Sequence, residues 1–163
     1  MQIIENALKH SEITDKIIGI FYDVYNELGY GFLETVYAES LVIALRQAGL
    51  TARCQVPLAV WFRNQRVGEY KADVLVENCV LLELKCARSL DSSHEAQILH
   101  YLKATDIEVG LLLNFGTRPQ FRRLLFDNER KMIRENPCQS VATVFARTAA
   151  HSNDSPDGLD KNP

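Results

Sequence analysis

Between Ile13 and Leu28, apolar residues fall at Ile13, Ile17, Ile20, Phe21, Val24 and Leu28, close to the 3.6-residue period of a helix, and Ser11 or Thr14 can cap its start. Gly29-Tyr30-Gly31 breaks that pattern, because glycine tolerates the backbone angles that end a helix. A second helix is expected from about residue 33 to 48, with Val36, Tyr37, Leu41, Ile43 and Leu45 along it and Gly49 as its stop. The chain then turns to β-branched and aromatic types, and "ARCQVPLAVWF", "EYKADVLVE" and "CVLLELKC" read as a meander of three strands. The polar "RNQRVG" separates the first two, a short turn at Glu77-Asn78 separates the next two, and Pro57 marks an edge position or a bulge. "SSHEAQILHYLKAT" follows as a helix of about three turns with Ser92 or Ser93 as N-cap. "EVGLLLNF" is the continuous apolar run of a strand covered on both faces, and "QFRRLLF", after a turn from Gly116 to Pro119, reads as one more strand. The order is α-α-β-β-β-α-β-β.

Two of these strands carry charges inside apolar runs. Residues two apart on a strand share a face, so Glu83 and Lys85 point the same way, opposite a core face of Val80, Leu82, Leu84 and Cys86. Cys79 and Leu81 keep the charged face apolar at its beginning. On the preceding strand, Ala72, Val74 and Val76 are expected on one face and Asp73, Leu75 and Glu77 on the other. A hairpin centred near Asn78 makes Asp73 and Glu83 near cross-strand neighbours. Facing carboxylates repel, so the pair calls for solvent or a compensating cation, and a divalent metal is one such cation. Carboxylates, a backbone carbonyl and waters suit Mg²⁺, and a lysine at the rim suits an anionic substrate. An ordinary Glu–Lys pair on an amphipathic sheet accounts for the same letters. Two helical pairs join the candidates: Glu34 with Tyr37, one turn apart, and Gln97 with Tyr101, four apart on one face. Taken alone, Glu34 serves as first-turn charge against the helix dipole.

Composition narrows the classes. A net charge of −3 and a pI near 5.8 argue against a protein that coats nucleic acid by charge alone. Arg118, Arg122, Arg123, Arg130, Lys131 and Arg134 form a late basic cluster, either a solvated face or a docking segment. The apolar runs are far shorter than the roughly 18 to 20 residues a membrane helix needs, and the N-terminus does not read as an export signal, so a cytoplasmic protein away from membranes is expected. Cys54, Cys79, Cys86 and Cys138 lack metal-binding spacing and read as buried reduced thiols. His94 and His100, six apart, share no helix face and read as surface histidines. One domain is expected over 1–127, followed by a C-terminal extension over 128–163 that is largely disordered from about 148, where "HSNDSPDGLDKNP" is polar and Pro/Gly-bearing.

In order and spacing, "GFLETVY", "EYKADVLVE", "LLELKC", "HEAQILHYLK" and "GLLLNFG" resemble the GxxExxY protein family, a branch of the PD-(D/E)xK nuclease superfamily, from about residue 12 to 126. The resemblance implies an α/β (α+β) fold with a restriction-endonuclease-like core, a mixed β-sheet flanked by helices. It also implies a catalytic set of Glu34, Asp73, Glu83, Lys85, Gln97 and Tyr101. The implied metal ligands are Asp73, Glu83, the Leu84 backbone carbonyl and Glu34, holding Mg²⁺ or Mn²⁺. Lys85 matches the catalytic lysine, and Gln97 with Tyr101 matches the Q-x-x-x-Y helix of several branches. The family's proline before the first aspartate is replaced by Ala72. The implied function is a metal-dependent nuclease hydrolysing phosphodiester bonds of DNA or RNA, with nucleic acid as substrate and a protein partner or homodimer also compatible. The same fold hosts inactive relatives that bind nucleic acid or protein instead.

Overall fold

The computed structural model describes residues 9–131. Its elements are α1 (Ser11–Leu28), α2 (Glu34–Gln47), β1 (Ala52–Phe62), β2 (Gln65–Val76), β3 (Val80–Lys85), α3 (Ser92–Ala104), β4 (Val109–Asn114) and β5 (Gln120–Leu125), with a short 3-10 turn at Asn128–Arg130. This is the order the periodicity predicts. The strands form one mixed sheet in the order β1-β2-β3-β4-β5. The β1-β2-β3 meander is antiparallel, β3 and β4 are parallel, and β5 returns antiparallel. A parallel pair cannot be closed by a tight turn, and α3 supplies the crossover between β3 and β4. No helix among the described residues is long and apolar enough to cross a membrane.

The sheet is covered on both sides. Ile17, Phe21 and Val24 of α1 and Tyr37, Leu41 and Leu45 of α2 pack with Val74, Val76, Val80, Leu82, Leu84, Leu111 and Leu113 on one side. On the other, Tyr101 and Leu102 of α3 pack with Leu75, Leu81, Val56, Leu58 and Ala72. β4 is buried along its whole length, as its unbroken apolar run predicts. Each large side chain fully buried in this way contributes about 1.5–3 kcal/mol by removing apolar area from water. Gly110 lets α3 approach β4 closely, since a Cβ there would lie 2.6 Å from Ile98 Cδ1.

An aromatic cluster ties the helices to the strand ends that carry the charges. Tyr37 stacks on Phe115 with ring centroids 4.3 Å apart, and Phe21 meets Phe115 edge-on at 4.8 Å. The Tyr37 hydroxyl donates to the Gly29 carbonyl at 2.7 Å, so the same ring fixes the α1–α2 connection. In that connection Gly31 adopts φ 111°, a left-handed conformation that explains the glycine two residues before Leu33.

Several local expectations are corrected. The β1–β2 connection is a two-residue turn at Arg63-Asn64, both with positive φ, so β2 starts four residues earlier than Glu69. At α1 neither Ser11 nor Thr14 caps the helix: His10 holds the N-cap position, and the Thr14 hydroxyl donates to the Ser11 carbonyl at 3.0 Å. At α3 the cap is Asp91 rather than Ser92 or Ser93; its carboxylate accepts from the Ser93 and His94 N–H groups, and His94 Nδ1 accepts from the Asp91 N–H in return. Cys54 and Cys79 are half-buried and Cys86 is exposed, so these are not buried thiols; burial nonetheless pushes Cys54 up to about 11 and keeps it protonated. Cys79 packs with the cluster beneath α1 and α2 rather than with Leu81, because it sits in the turn where strand alternation does not bind it. Cys138, Arg134 and the expected disordered tail lie outside the described residues.

The largest departure is on β1 and β2. Ala72 does not share a face with Val74 and Val76; it packs with Leu75 and Leu81 beneath α3. β1 changes sides at the same level, Cys54 packing with the α1/α2 side and Val56 with the α3 side. Between them Gln55 has φ 54° and is skipped by the strand pairing, which joins Cys54 to Val74 and then Val56 to Ala72. One left-handed residue reverses the alternation of side chains beyond it. The reversal falls opposite Asp73.

Candidate active site

Short-range turn geometry assembles the charged residues. β2 and β3 pair Val76 with Val80, Leu75 with Leu81 and Val74 with Leu82, and the next step of that register sets Asp73 opposite Glu83. Asp73 Oδ2 accepts the Leu84 N–H at 2.8 Å, which fixes the carboxylate against the start of the polar end of β3. Lys85 Nζ donates to Glu83 Oε1 at 2.8 Å and to Gln97 Oε1 at 2.9 Å. Gln97 Nε2 in turn donates to the Tyr101 hydroxyl at 2.7 Å. The i, i+4 spacing of Gln97 and Tyr101 makes that last contact possible, and the α3 crossover sets both over Lys85. Glu34, at the first turn of α2, reaches the other side of the strand end, where its Oε1 accepts the Cys86 N–H at 3.3 Å. Thus all six side chains singled out from the sequence converge at the C-terminal end of β3, where Asp73 of β2 lies alongside, with the Leu84 peptide between Glu83 and Lys85.

The electrostatics are those of an acidic group held against its preference. Glu83 is 2% exposed, and burial pushes its carboxyl up to about 7 against the hydrogen bond from Lys85, with the charges of Asp73 and Glu34 raising it further. Its second oxygen, Oε2, is buried without a hydrogen-bond partner among the described residues. Burial likewise raises the Asp73 carboxyl from its ordinary value, against the Leu84 N–H and the charge of Lys85. For Lys85 burial works to lower the ammonium, but the Glu83 hydrogen bond and the charges of Glu83, Glu34 and Asp73 outweigh it and hold the group above its ordinary value. Lys85 is therefore cationic at neutral pH. Burial also raises the Tyr101 hydroxyl, so it stays protonated.

Three supporting residues were not legible as such. Gln55 stands across from Asp73 and its side chain hydrogen-bonds the carboxylate, so the left-handed residue that reverses the strand also touches the site. A glutamine in a strand gives no sequence signal for a positive φ. Asn114, fully buried at the end of β4, accepts the Ala87 N–H and donates to the Ala87 carbonyl, both at 2.9 Å. The Phe115 N–H donates to the Lys85 carbonyl at 2.7 Å. Together these bonds pin the backbone on the C-terminal side of Lys85. The cue for Asn114 was a polar letter at the end of an apolar run, in "GLLLNFG".

Other candidates are absorbed by structure. Arg122 pairs with Glu95 at 3.2 Å, Arg123 donates to the Lys9 carbonyl, and Lys131 donates to the Thr105 and Ile107 carbonyls. The late basic cluster is in these members a set of tertiary fasteners. His94 completes the α3 cap. His100 is exposed but lies against the Tyr70 ring. Among the described residues no three His, Cys, Asp or Glu side chains group so as to hold a metal ion.

A family model described as PD-(D/E)XK nuclease superfamily matches residues 11–124, and the chain belongs to that superfamily. Its mixed five-stranded sheet with flanking helices is the restriction-endonuclease-like fold. Among solved structures it is similar to the crystal structure of SSO0001, at 18% identity and a TM-score of 0.47, over 94% of this chain and 73% of that one. No curated protein matches it.

Proposed function

We propose that this chain is a divalent-metal-dependent nuclease that hydrolyses phosphodiester bonds of DNA or RNA, in the superfamily branch named for the GxxExxY motif. The observation that carries the reading is Glu83 Oε2, a buried carboxylate oxygen without a partner among the described residues, beside a second carboxylate with a raised pKa. A carboxylate left so is costly unless a cation completes it. The donor set is all oxygen: the Glu83 and Asp73 carboxylates and the Leu84 carbonyl, which suits Mg²⁺ or Mn²⁺ rather than a thiophilic metal. The fit requires two protein carboxylates, with Glu34 available to a second ion or to an ordered water. When bound, such an ion lowers the pKa of water and offsets charge on the scissile phosphate.

The chain's own groups divide the remaining work. An ammonium has three N–H donors, and two of those on Lys85 go to Glu83 and Gln97. Those bonds aim the group, leaving a donor to orient the attacking water or to meet charge building on the phosphoryl oxygens. Gln97 is oriented by the Tyr101 hydroxyl, so the pair acts as a brace for Lys85. Each residue of the GxxExxY motif has a distinct physical role. Gly31 makes the turn, Glu34 holds the Cys86 N–H beside Lys85, and Tyr37 anchors both through Phe115 and Gly29.

Calorimetric titration of the protein with MnCl₂ at pH 8 tests the metal. A heat present in wild type and abolished in Glu83→Gln supports the reading. Its absence from wild type, even with a DNA or RNA oligonucleotide present, would make the chain a binding module that keeps the fold without the chemistry.

A further inference from the structure

β1 and β2 run for 11 and 12 residues, whereas β3, β4 and β5 have six each. The β2–β3 ladder ends at Val74 paired with Leu82. From Gln65 to Asp73, β2 is therefore partnered by β1 alone, and the hairpin stands out from the sheet as an arm. At about 3.4 Å per residue it extends roughly 25–30 Å from Asp73 to its tip. Its root lies on α3: Val56, Leu58 and Ala72 pack with Tyr101 and Leu102. The Tyr70 ring is 5.5 Å from Tyr101 and 6.4 Å from His100. The arm thus begins at the candidate active site and shares a helix with it.

Beyond that root the arm shows large apolar faces to solvent. Trp61 is 43% exposed, Phe62 60% and Val67 61%, on a two-stranded segment where such exposure is a liability unless something covers it. The accompanying charges favour a polyanion. Arg63, Arg66 and Lys71 stand against Glu69 alone from Pro57 to Lys71, in a chain of net charge −3. Arg66 pairs with that Glu69, which leaves Arg63 and Lys71 to set the sign of the surface. The Arg63 guanidinium lies over the Phe62 ring, 5.1 Å from its centroid, so cation and aromatic are presented together. By contrast α1 carries Glu12, Asp15, Asp23 and Glu27 against Lys16 alone, a balance that does not favour a polyanion.

We infer that the β1–β2 arm is a substrate-binding surface that grips an unpaired nucleic-acid strand leading away from the active site, its aromatic rings stacking on bases and Arg63 and Lys71 meeting phosphates. This rests on the nuclease reading above and adds the substrate's form. Stacking needs exposed base faces, which a continuous duplex hides, so single strands, flaps and loops fit the arm and uninterrupted duplex does not.

The test measures binding of fluorescent single-stranded and duplex oligonucleotides by anisotropy, in EDTA and across a NaCl series, for wild type, Trp61→Ala/Phe62→Ala and Arg63→Ala/Lys71→Ala. All four positions are exposed, and circular dichroism with urea unfolding verifies that each variant folds. The aromatic variant is expected to lose about tenfold or more on single strands and much less on duplex. The basic variant is expected to flatten the slope of log K against log salt by about 1 to 1.5. Wild-type affinity and slope in both variants, with wild type binding well, would overturn the arm but not the nuclease. Wild type binding no nucleic acid would overturn both. If sedimentation shows a wild-type dimer that Trp61→Ala/Phe62→Ala turns into monomer with binding unchanged, the arm is a contact between copies of this chain and the inference fails.

Discussion

Glu83→Gln should make the metal-free protein more stable while removing its activity, and the gain should depend on pH. The buried carboxyl titrates near 7 in the folded chain, against an ordinary value of 4.5. Below pH 4.5 it is protonated in both folded and unfolded states and has no effect on stability. Between 4.5 and about 7 the unfolded chain gives up the proton while the folded one retains it, so ionisation favours unfolding increasingly as pH rises. Above 7 the penalty is complete. At 1.36 kcal/mol per pKa unit it amounts to about 3 kcal/mol. Glutamine cannot ionise and keeps an oxygen for Lys85, so it escapes this penalty. Urea unfolding in EDTA should therefore show the variant and wild type within about 1 kcal/mol of each other at pH 4.5–5, with the variant pulling ahead by about 2–3 kcal/mol at pH 8. Saturating Mg²⁺ should restore wild type at pH 8 and do nothing for the variant, because an ion that binds only the folded state stabilises it. A gap of the same size at both pH values, or a variant less stable than wild type at pH 8, would refute the reasoning that Glu83 is strained by burial.

Other substitutions probe the supporting groups. Lys85→Ala should cut kcat on a cleavable oligonucleotide by at least a hundredfold and, by leaving Glu83 without its cation, lower urea stability at pH 8 by about 3 kcal/mol. Gln97→Ala should leave the fold within about 1 kcal/mol of wild type and lower kcat roughly tenfold, since it braces Lys85 rather than holding the core. Gln55→Gly should retain stability, because glycine accepts φ 54°, yet weaken Mn²⁺ affinity measured by calorimetry; Gln55→Val at the same position should cost about 1–3 kcal/mol of stability. Asn114→Ala strands the Ala87 N–H and carbonyl and should cost about 2–4 kcal/mol in urea unfolding.

What was legible in the sequence follows from the range of the forces involved. The 3.6-residue period of α1 and the alternation on β3 are set by nearest neighbours along one element, and both survive in the structure. The Asp73–Glu83 opposition was readable because a three-residue turn about Asn78 leaves the register little freedom. Alternation failed between Cys54 and Val56 because Gln55 takes a left-handed conformation that its own side chain does not favour, and Ala72, paired with Val56, lies on the same side as Val56. The α3 cap moved from serine to Asp91 because a carboxylate answered by His94 three residues on outcompetes a hydroxyl for the free N–H groups, a choice among three adjacent good caps. The length of the hairpin was missed for a related reason. "RNQRVG" reads as a polar loop, but Arg63 and Asn64 adopt the paired positive φ of a tight turn and release the rest into strand.

The most direct measurement is cleavage of a panel of end-labelled DNA and RNA oligonucleotides, single-stranded, duplex and flapped, by wild type and Glu83→Gln, each with Mg²⁺, with Mn²⁺ and with EDTA. Cleavage by wild type with metal, abolished by EDTA and by Glu83→Gln in a protein that unfolds at higher urea at pH 8, is the predicted result. Products from Glu83→Gln at the wild-type rate, cleavage that persists in EDTA, or an intact panel with wild type and metal would contradict it.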